Sequence, residues 1–512
     1  MDLLSTTLTP PDLAVVNDTS PLLWILIVGF IVAFFLAFGV GANDVANSFG
    51  TSVGAKVLTL RQACILATIF ETLGAVLIGY KVSDTVRKGI FDVDIYRDDE
   101  KTLMLGCLSA LLGSALWNIL ATFLALPISG THSIVGAMAG FTVVARGFGS
   151  INWLGLVKIV SSWFVSPVLS GAISAVVFLV ILKFVLEASN PLRNGLLLLP
   201  FFYFGTLFVN LFSVLLDGPH VLKFDLIPIW GGFLISATVS LAAAIFVWFF
   251  LVPRLKASID GDTGSSNSIK KASAQRVFHL HYPHRDVRPS SNVTSIAAVA
   301  NNRECHVNVG FEDSSEAGSG VKCAAVMSRN DANAASVDAL TDEPKVNQLF
   351  SFLQVLTAIF GSFAHGGNDV SNAIGPLVSL WLIYHEGSVA QKTETPLGIL
   401  LFGGFGICVG LWLYGQKVIR TVGESLTKIS PSNGFSIEIG AATTVLMASK
   451  IGLPISTTHC KVGSIVSVGF FNKTSGGVNW SLFKGILAAW VFTLPITAGL
   501  SAFIMFILQS VV

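Results

Sequence analysis

The sequence predicts an all-α, polytopic membrane protein with about twelve transmembrane segments arranged as two repeats. Three observations support this prediction. Of the 512 residues, 53% are hydrophobic and only 12% are charged, which is about half the charged fraction of a soluble domain. The chain contains many apolar runs of about 20 residues, the length that a helix needs to cross a bilayer. The motifs of the first half also recur in the second half in the same order.

Composition divides the chain into four parts. They are a short N-terminal tail at 1–20, a first membrane repeat with extra spans at 21–252, a polar and mostly disordered loop at 253–346, and a second membrane repeat at 347–512. The loop region from Arg254 to Lys345 holds 22 of the 61 charged residues and cannot bury enough apolar surface to fold alone. Its basic start, "PRLK", favours the cytoplasmic side. The glycosylation sequon Asn17-Asp18-Thr19 favours an extracellular tail.

The bulk properties also exclude several classes. A net charge of +1 argues against a nucleic-acid-binding protein, which would carry a basic stripe. Four of the six cysteines lie in apolar segments, so the chain does not resemble a secreted disulfide framework. The first apolar run lacks a basic region before it and is interpreted as a retained span rather than a signal peptide.

Three pairs of segments carry most of the repeat. "GANDVANSFG" matches "GGNDVSNAIG", "LPISGTHSIVGAMAG" matches "LPISTTHCKVGSIVS", and "WFVSPVLSG" matches "WVFTLPITAG", at offsets of 325 to 327 positions. Two duplicated membrane halves are typical of transporters. In such folds the substrate binds at the repeat interface, where re-entrant or discontinuous half-helices direct their N-termini at anionic groups.

The first motif places an Asn-Asp pair at the end of an apolar run in each half. A carboxylate in such a run is costly and normally faces a cavity, a partner or an ion. Carboxylate, amide and freed backbone oxygens together suit a small, hard cation such as sodium. The alternative is a pair of polar contacts between helices. The candidate cation ligands are Asn43, Asp44, Asn47, Asn368, Asp369 and Asn372.

The second motif, Pro-Ile-Ser-Gly/Thr-Thr-His, places hydroxyl groups at a predicted helix start. Free N–H groups and the helix dipole make such a start a seat for an anion, and a glycine lets the backbone approach closely. Ordinary helix capping uses the same residue types. The candidate oxyanion-binding residues are Ser129, Gly130, Thr131, Ser456, Thr457 and Thr458.

Four further residues are candidates for coupling transport to the cation. Glu71 is isolated in the middle of an apolar run, and Glu438 lies near the start of another. An intramembrane carboxylate predicts function, although Glu438 could also line a helix interface. His132 and His459 follow the hydroxyl motifs in register. No metal-ligand spacing accompanies them, so packing is the alternative interpretation.

These motifs, together with "LRQACILATIFETLGAVLIGYKVSDTVRKGI", resemble the inorganic phosphate transporter (PiT) family, and in particular its animal sodium–phosphate symporter branch. The resemblance covers both membrane halves. It implies two inverted-topology repeats and import of inorganic phosphate by alternating access, driven by co-transported sodium. It also implies phosphate between the two hydroxyl motifs, sodium by the Asn-Asp motifs, and roles in transport for Glu71 and Glu438. A lipid bilayer, the plasma membrane, and a homodimer are the expected surroundings and assembly, and no other cofactor is expected.

Two alternatives stay open at this point. One is the same fold coupled to protons or carrying another tetrahedral oxyanion. The other is a phosphate sensor or surface receptor in which transport is secondary. An enzyme has the least support, because the sequence contains no nucleophile–base arrangement and no ATP-binding loop.

Overall fold

The computed structural model describes residues 20–216, 223–261, 344–424, 426–472 and 477–512, and nearly all of these residues are helical. Most of the predicted tail and loop, with the sequon, lies outside them. The first half contains α1 Leu23–Asp44, α2 Ala46–Gly54, α3 Leu60–Ile78, α4 Tyr80–Lys88, α5 Glu100–Phe123, α6 Gly130–Arg146, α7 Trp153–Ile181, α8 Pro191–Leu215, α9 Ile229–Phe246 and α10 Val252–Gly261. The second half contains α11 Pro344–His365, α12 Ser371–Glu386, α13 Leu397–Glu424, α14 Pro431–Lys450, α15 Thr457–Phe471 and α16 Trp480–Val511.

The predicted fold class is confirmed. Within the described ranges, nine helical stretches are long and apolar enough to cross a membrane, and the one β-type pairing is an isolated bridge between Phe91 and Ile151. The count of twelve crossings stays a prediction. The last helix of the first half reaches Gly261, several residues into the predicted loop.

The helices that carry the repeated motifs correspond between the two halves. The helix formed by α1 and α2 is interrupted at Val45, and its counterpart α11–α12 is interrupted by a π-helical turn at Gly366–Val370. The helices α6 and α15 both begin directly after the Pro-Ile-Ser segments. They are therefore the half-helices that the sequence predicts. The helices α8 to α10 have no counterpart in the second half.

Each half packs mainly against the other. The helix α1 packs along α5 of its own half and along α13 of the second half, and α11 packs in the same way along α14 and α3. Likewise α16 lies along α6, and α7 lies along α15. The two halves therefore share one intertwined core instead of forming two separate bundles.

Glycines allow the closest of these helix crossings. A Cβ atom added to Gly41 would lie 2.0 Å from the carbonyl oxygen of Ile407. In the matching crossing, a Cβ added to Gly366 would lie 2.0 Å from the carbonyl oxygen of Glu71. Small residues let membrane helices bring their backbones together. The motif glycines thus hold each interrupted helix against the other half.

A polar contact ties α4 to the turn after α12. The guanidinium of Arg87, only 2% exposed, donates from Nη1 to the Gln391 carbonyl oxygen at 3.0 Å and from Nη2 to the Thr393 carbonyl oxygen at 3.3 Å. The Nε of Arg87 also donates to Asp84 Oδ1 at 3.0 Å. This buried cation therefore cross-links the two halves outside the membrane-length helices.

Candidate functional site

The interrupted helices and the two half-helices meet in the buried centre of the core. The ends of α1 and α11 carry the Asn-Asp motifs, and the starts of α6 and α15 carry the hydroxyl motifs. All six predicted cation ligands and all six predicted oxyanion-binding residues are buried. The fold therefore brings together both sets of residues that the sequence indicates.

In the first half, Asp44 binds across to both half-helices. Its Oδ2 accepts a hydrogen bond from the Gly130 N–H at 3.1 Å, and its Oδ1 lies 3.1 Å from Thr458 Oγ1. A Cβ added to Gly130 would come within 2.8 Å of Asp44 Oδ2, so the glycine is needed for this approach. The neighbouring Asn43 accepts from the Ile128 N–H at 3.1 Å.

Asp369 occupies the corresponding place in the second half, with different partners. Its Oδ2 accepts from Thr457 Oγ1 at 2.7 Å. Its Oδ1 accepts from the amide groups of Asn368 at 3.1 Å and Asn372 at 3.2 Å. Both carboxylates are thus buried among uncharged hydrogen-bond donors, and Asp369 also contacts a histidine described below.

The last Asn of each motif reaches across to the hydroxyl motif of the other half. Asn47 Nδ2 donates to Thr458 Oγ1 at 2.8 Å, and Asn372 Nδ2 donates to Thr131 Oγ1 at 2.7 Å. Exchanging the two halves therefore reproduces the same contact. At the site, the two halves are therefore related to each other by local two-fold symmetry.

The two hydroxyl motifs also contact each other directly. Thr131 Oγ1 donates to the Ile455 carbonyl oxygen at 2.8 Å, and Thr458 Oγ1 lies 2.9 Å from the Ile128 carbonyl oxygen. Each threonine hydroxyl has one hydrogen to donate. A ligand that takes that hydrogen between the two motifs must therefore open these mutual contacts.

The serines of the hydroxyl motifs act as helix caps. Ser129 Oγ accepts from the His132 N–H at 3.3 Å, and Ser456 Oγ accepts from the His459 N–H at 3.1 Å. These are N-cap contacts that satisfy one free N–H at each helix start. Capping uses the serine oxygen as acceptor, so the serine hydroxyl hydrogens are still available to an anion, whereas the Gly130 N–H is already held by Asp44.

The sequence analysis missed a histidine that joins two of the carboxylates. His365 Nδ1 lies 2.6 Å from Glu71 Oε2, and its Nε2 lies 2.7 Å from Asp369 Oδ2. Glu71 also accepts from Ser362 Oγ at 3.0 Å. A ring between two carboxylates can donate to both only as an imidazolium. The signal in the sequence was the spacing, because His365 and Asp369 are four residues apart and share a helix face.

Glu438 is held at a separate position by three hydroxyl groups. Its Oε1 accepts from Thr51 Oγ1 at 2.5 Å and from Ser52 Oγ at 2.7 Å. Its Oε2 accepts from Thr357 Oγ1 at 2.7 Å. Glu438 is therefore a buried residue at the interface of the halves.

The two predicted coupling histidines form a stack of rings. The ring centroids of His132 and His459 lie 4.5 Å apart. His132 lies 3.7 Å from the Trp163 ring, and His459 lies 3.7 Å from the Trp490 ring. The four rings tie the starts of α6 and α15 to each other and to α7 and α16, which agrees with packing as one function of these histidines.

A chain of membrane-length helices in two matched halves, with interrupted helices meeting at a buried polar centre, is a secondary transporter by architecture. The chain belongs to the phosphate transporter family, which matches residues 40–501. The predicted family resemblance is therefore confirmed.

Relatives match over nearly their whole length. Sodium-dependent phosphate transporter 1-A of Danio rerio is 42% identical over 97% of this chain and 96% of its own. Sodium-dependent phosphate transporter 1 of Homo sapiens is 39% identical over 96% of each chain. A solved structure described as the sodium-dependent phosphate transporter is 35% identical, with a TM-score of 0.73, and covers 96% of this chain and 100% of its own.

Proposed function

We propose that this protein is a symporter that imports inorganic phosphate together with sodium by alternating access. The observation that carries the proposal is the reciprocal pairing of the Asn-Asp motifs with the hydroxyl motifs at the buried centre, in a chain of the phosphate transporter family. The names of its relatives supply the substrate and the coupling ion. Transport, rather than catalysis, is the activity that this family membership supports.

Sodium binds by the two Asn-Asp motifs in this proposal. Asp44 and Asp369 are each about 1% exposed. Asp369 has a basic neighbour in His365, but a buried carboxylate that lacks a counter-charge is strongly unfavourable. Bound sodium supplies the missing positive charge and finds the oxygen ligands that it requires. Its proposed ligands come from Asn43, Asp44, Asn47, Asn368, Asp369 and Asn372.

Phosphate binds between the two hydroxyl motifs, after the mutual contacts of Thr131 and Thr458 have opened. The starts of α6 and α15 then direct N–H groups and hydroxyls at the oxyanion. The proposed phosphate-binding residues are Ser129, Gly130, Thr131, Ser456, Thr457 and Thr458. In the arrangement described above, those contacts are closed, so the opening step belongs to the transport cycle.

Coupling between the two ligands is assigned to Glu71, Glu438, His132 and His459. Glu71 connects to Asp369 through His365, which contacts both carboxylates, and the histidine stack joins the two half-helices. An imported excess of positive charge would make uptake electrogenic, since each charge gains about 2.3 kcal/mol per 100 mV. Inward current during phosphate uptake, growing with negative voltage, is the expected result.

The proposal also includes the setting of the protein. We place it in the plasma membrane as a multi-pass protein, with 253–346 as a cytoplasmic loop and a homodimer as its assembly. Surface biotinylation and co-purification of two differently tagged copies test these two points.

Uptake of radiolabelled phosphate in sodium and in choline, at two pH values, tests the function. Asp44→Asn and Asp369→Asn are compared at equal surface expression, with Asp94→Asn as the matched control because the Asp94 side chain is 61% exposed. We expect sodium-dependent uptake that both buried variants lose and the control keeps. Uptake that follows pH and ignores sodium would favour proton coupling. Absence of uptake from surface protein would favour the receptor interpretation, and competition by sulfate but not arsenate would favour another oxyanion.

A further inference from the structure

A cluster of polar side chains lies to one side of the central site, around the Glu438 carboxylate. Lys461 Nζ donates to Thr51 Oγ1 at 3.4 Å, and Thr51 Oγ1 donates to Glu438 Oε1 at 2.5 Å. The charges of Lys461 and Glu438 therefore balance across a shared hydroxyl. The polar cluster, as we call it, consists of the buried residues Thr51, Ser52, Gln354, Thr357, Glu438 and Lys461.

The equivalent positions of the repeat form an apolar cluster. The offsets of 325 and 327 positions that relate the motifs also give the equivalent of each residue in the polar cluster. In the same order, the apolar cluster consists of Pro376, Leu377, Gly29, Val32, Leu111 and Ile134. All six are buried. The two clusters therefore match in position and differ in chemistry, with Val32 as the isosteric counterpart of Thr357.

The two clusters lie at opposite ends of the core. Thr51 follows the Asn-Asp motif of its interrupted helix, whereas Thr357 precedes the motif of its own, and both donate to Glu438. The two interrupted helices therefore run antiparallel. In the apolar cluster the order is reversed, because Val32 precedes its motif and Leu377 follows its motif. The binding centre at the motifs thus lies between the two clusters.

The polar cluster can be hydrated more easily than the apolar one. Glu438 and Lys461 line a cavity of about 20 Å³, which is room for one water molecule. Both polar atoms of the buried Gln354 side chain lack a hydrogen-bond partner among the residues that the structure describes. Separating the polar cluster exposes groups that bind water, whereas separating the apolar cluster exposes hydrophobic surface to water, which is unfavourable. The polar end of the core therefore opens at the lower cost.

We propose that the two clusters are the two gates of the transport path, and that without ligands the polar gate opens more readily than the apolar gate. This inference rests on the proposed function. The polar gate lies toward the start of α11, where the proposed cytoplasmic loop ends, so it faces the cytoplasm and the apolar gate faces the outside. The outward-facing state is then the minor one. The apparent affinity for external phosphate is reduced by the fraction of protein in that state.

Exchange of the isosteric pair Val32 and Thr357 tests the two gates. Val32→Thr buries a hydroxyl in the closed apolar gate, which is unfavourable, so it should lower the KM for external phosphate about threefold. Thr357→Val removes a hydrogen bond to Glu438 from the closed polar gate, so it should raise this KM at least threefold. The double variant should return to within about twofold of the native KM. Val157→Thr is the matched control, because Val157 is 56% exposed on α7, and it should behave as the native protein.

The directions of these changes separate gating from general damage to the core. Damage would raise the KM or lower the maximal rate in both single variants and would add up in the double variant. That pattern, or a Val32→Thr protein whose KM does not fall, would overturn the proposal. Where a variant does not reach the surface, Ser52→Ala takes the place of Thr357→Val, because Ser52 also donates to Glu438, and Ile134→Thr takes the place of Val32→Thr.

A labelling experiment reads the apolar gate without transport. Cys107 is a buried free cysteine one turn before Leu111 on α5. An impermeant methanethiosulfonate reagent is applied from outside in choline medium, and the rate in the Cys107→Ser protein is subtracted. Val32→Thr should speed labelling of Cys107 at least threefold, and Thr357→Val should slow it. Equal rates, or no labelling of Cys107 in either variant, contradict the gates, whereas these labelling shifts in a chain that takes up no phosphate would overturn the proposed substrate alone.

Discussion

Asn47 donates a hydrogen bond to Thr458 across 411 residues of sequence. The contact joins the cation motif of the first half to the oxyanion motif of the second. The same hydroxyl lies beside Asp44 and beside the Ile128 carbonyl oxygen. A single threonine therefore stands where the proposed sodium and phosphate positions meet.

Thr458→Val should reduce sodium-dependent phosphate uptake at least tenfold at equal surface expression. Valine has the same shape but leaves the Asn47 amide without its buried acceptor and removes the hydroxyl that lies beside the Asp44 carboxylate. Leaving a buried donor unsatisfied costs about 1–3 kcal/mol. Thr458→Ser keeps the hydroxyl and should retain most uptake. Initial uptake rates at several sodium concentrations measure the effect. Equal activity of the valine and serine variants would contradict this role.

Gly41→Ala should prevent α1 from packing closely against α13 of the other half and should therefore destabilise the protein. The added methyl would meet the Ile407 backbone oxygen at 2.0 Å, and overpacking of this kind costs about 1–3 kcal/mol or more. Gly366→Ala, at the matching crossing, should behave alike. Gly485→Ala is the control, since a Cβ there meets open space. Surface expression and the temperature of half-inactivation in detergent measure the outcome; a Gly41→Ala protein as stable as the control would refute the reasoning.

Glu71→Gln and His365→Val should each reduce uptake at least tenfold, and the double variant should lose no more than the worse single one. The two side chains act through one contact of 2.6 Å, and residues in direct contact are not additive. Valine is chosen because Val40 occupies the equivalent position of the first half. Phosphate uptake by the native protein, the two single variants and the double variant completes this double-mutant cycle. Additive losses would mean that the two side chains act independently.

Arg87→Met should lower the stability of the protein by about 2 kcal/mol, because several hydrogen bonds from a buried guanidinium are lost together. Arg87→Lys should not restore it, since lysine lacks the forked geometry. Arg97→Met removes the exposed ion pair with Asp94 and should change stability by less than about 1 kcal/mol. The midpoints of thermal unfolding, measured on purified protein in detergent, compare the three variants. Equal midpoints for the Arg87 and Arg97 variants would argue against the cross-link between α4 and the turn after α12.

The sequence analysis predicted the parts of the site that are duplicated. The Asn-Asp and hydroxyl motifs occur twice at a constant offset, so each copy supports the other, and their residues do meet at the buried centre. The half-helices were also predicted, because Pro-Ile-Ser in an apolar run indicates a helix start.

The unpaired features could not be predicted in this way. His365 and Lys461 replace apolar residues of the other half, so the repeat itself gives no reason to single out the histidine. The contacts of Arg87 are made to backbone carbonyl oxygens more than 300 residues away, which no local pattern records. The sequence also could not show whether Ser129 and Ser456 cap a helix or bind an oxyanion. That distinction depends on the directions of their hydrogen bonds, which are set by how the helices pack.

The intertwined packing also determines the order in which the protein can be completed during synthesis. When α1 to α10 have entered the membrane, α1 still lacks α13, and Asn47 lacks its threonine partner. Until the second half is inserted, the polar and glycine-lined faces of the first half therefore contact lipid or the insertion machinery instead of their protein partners. The core that contains the site forms only after nearly the whole chain has left the ribosome.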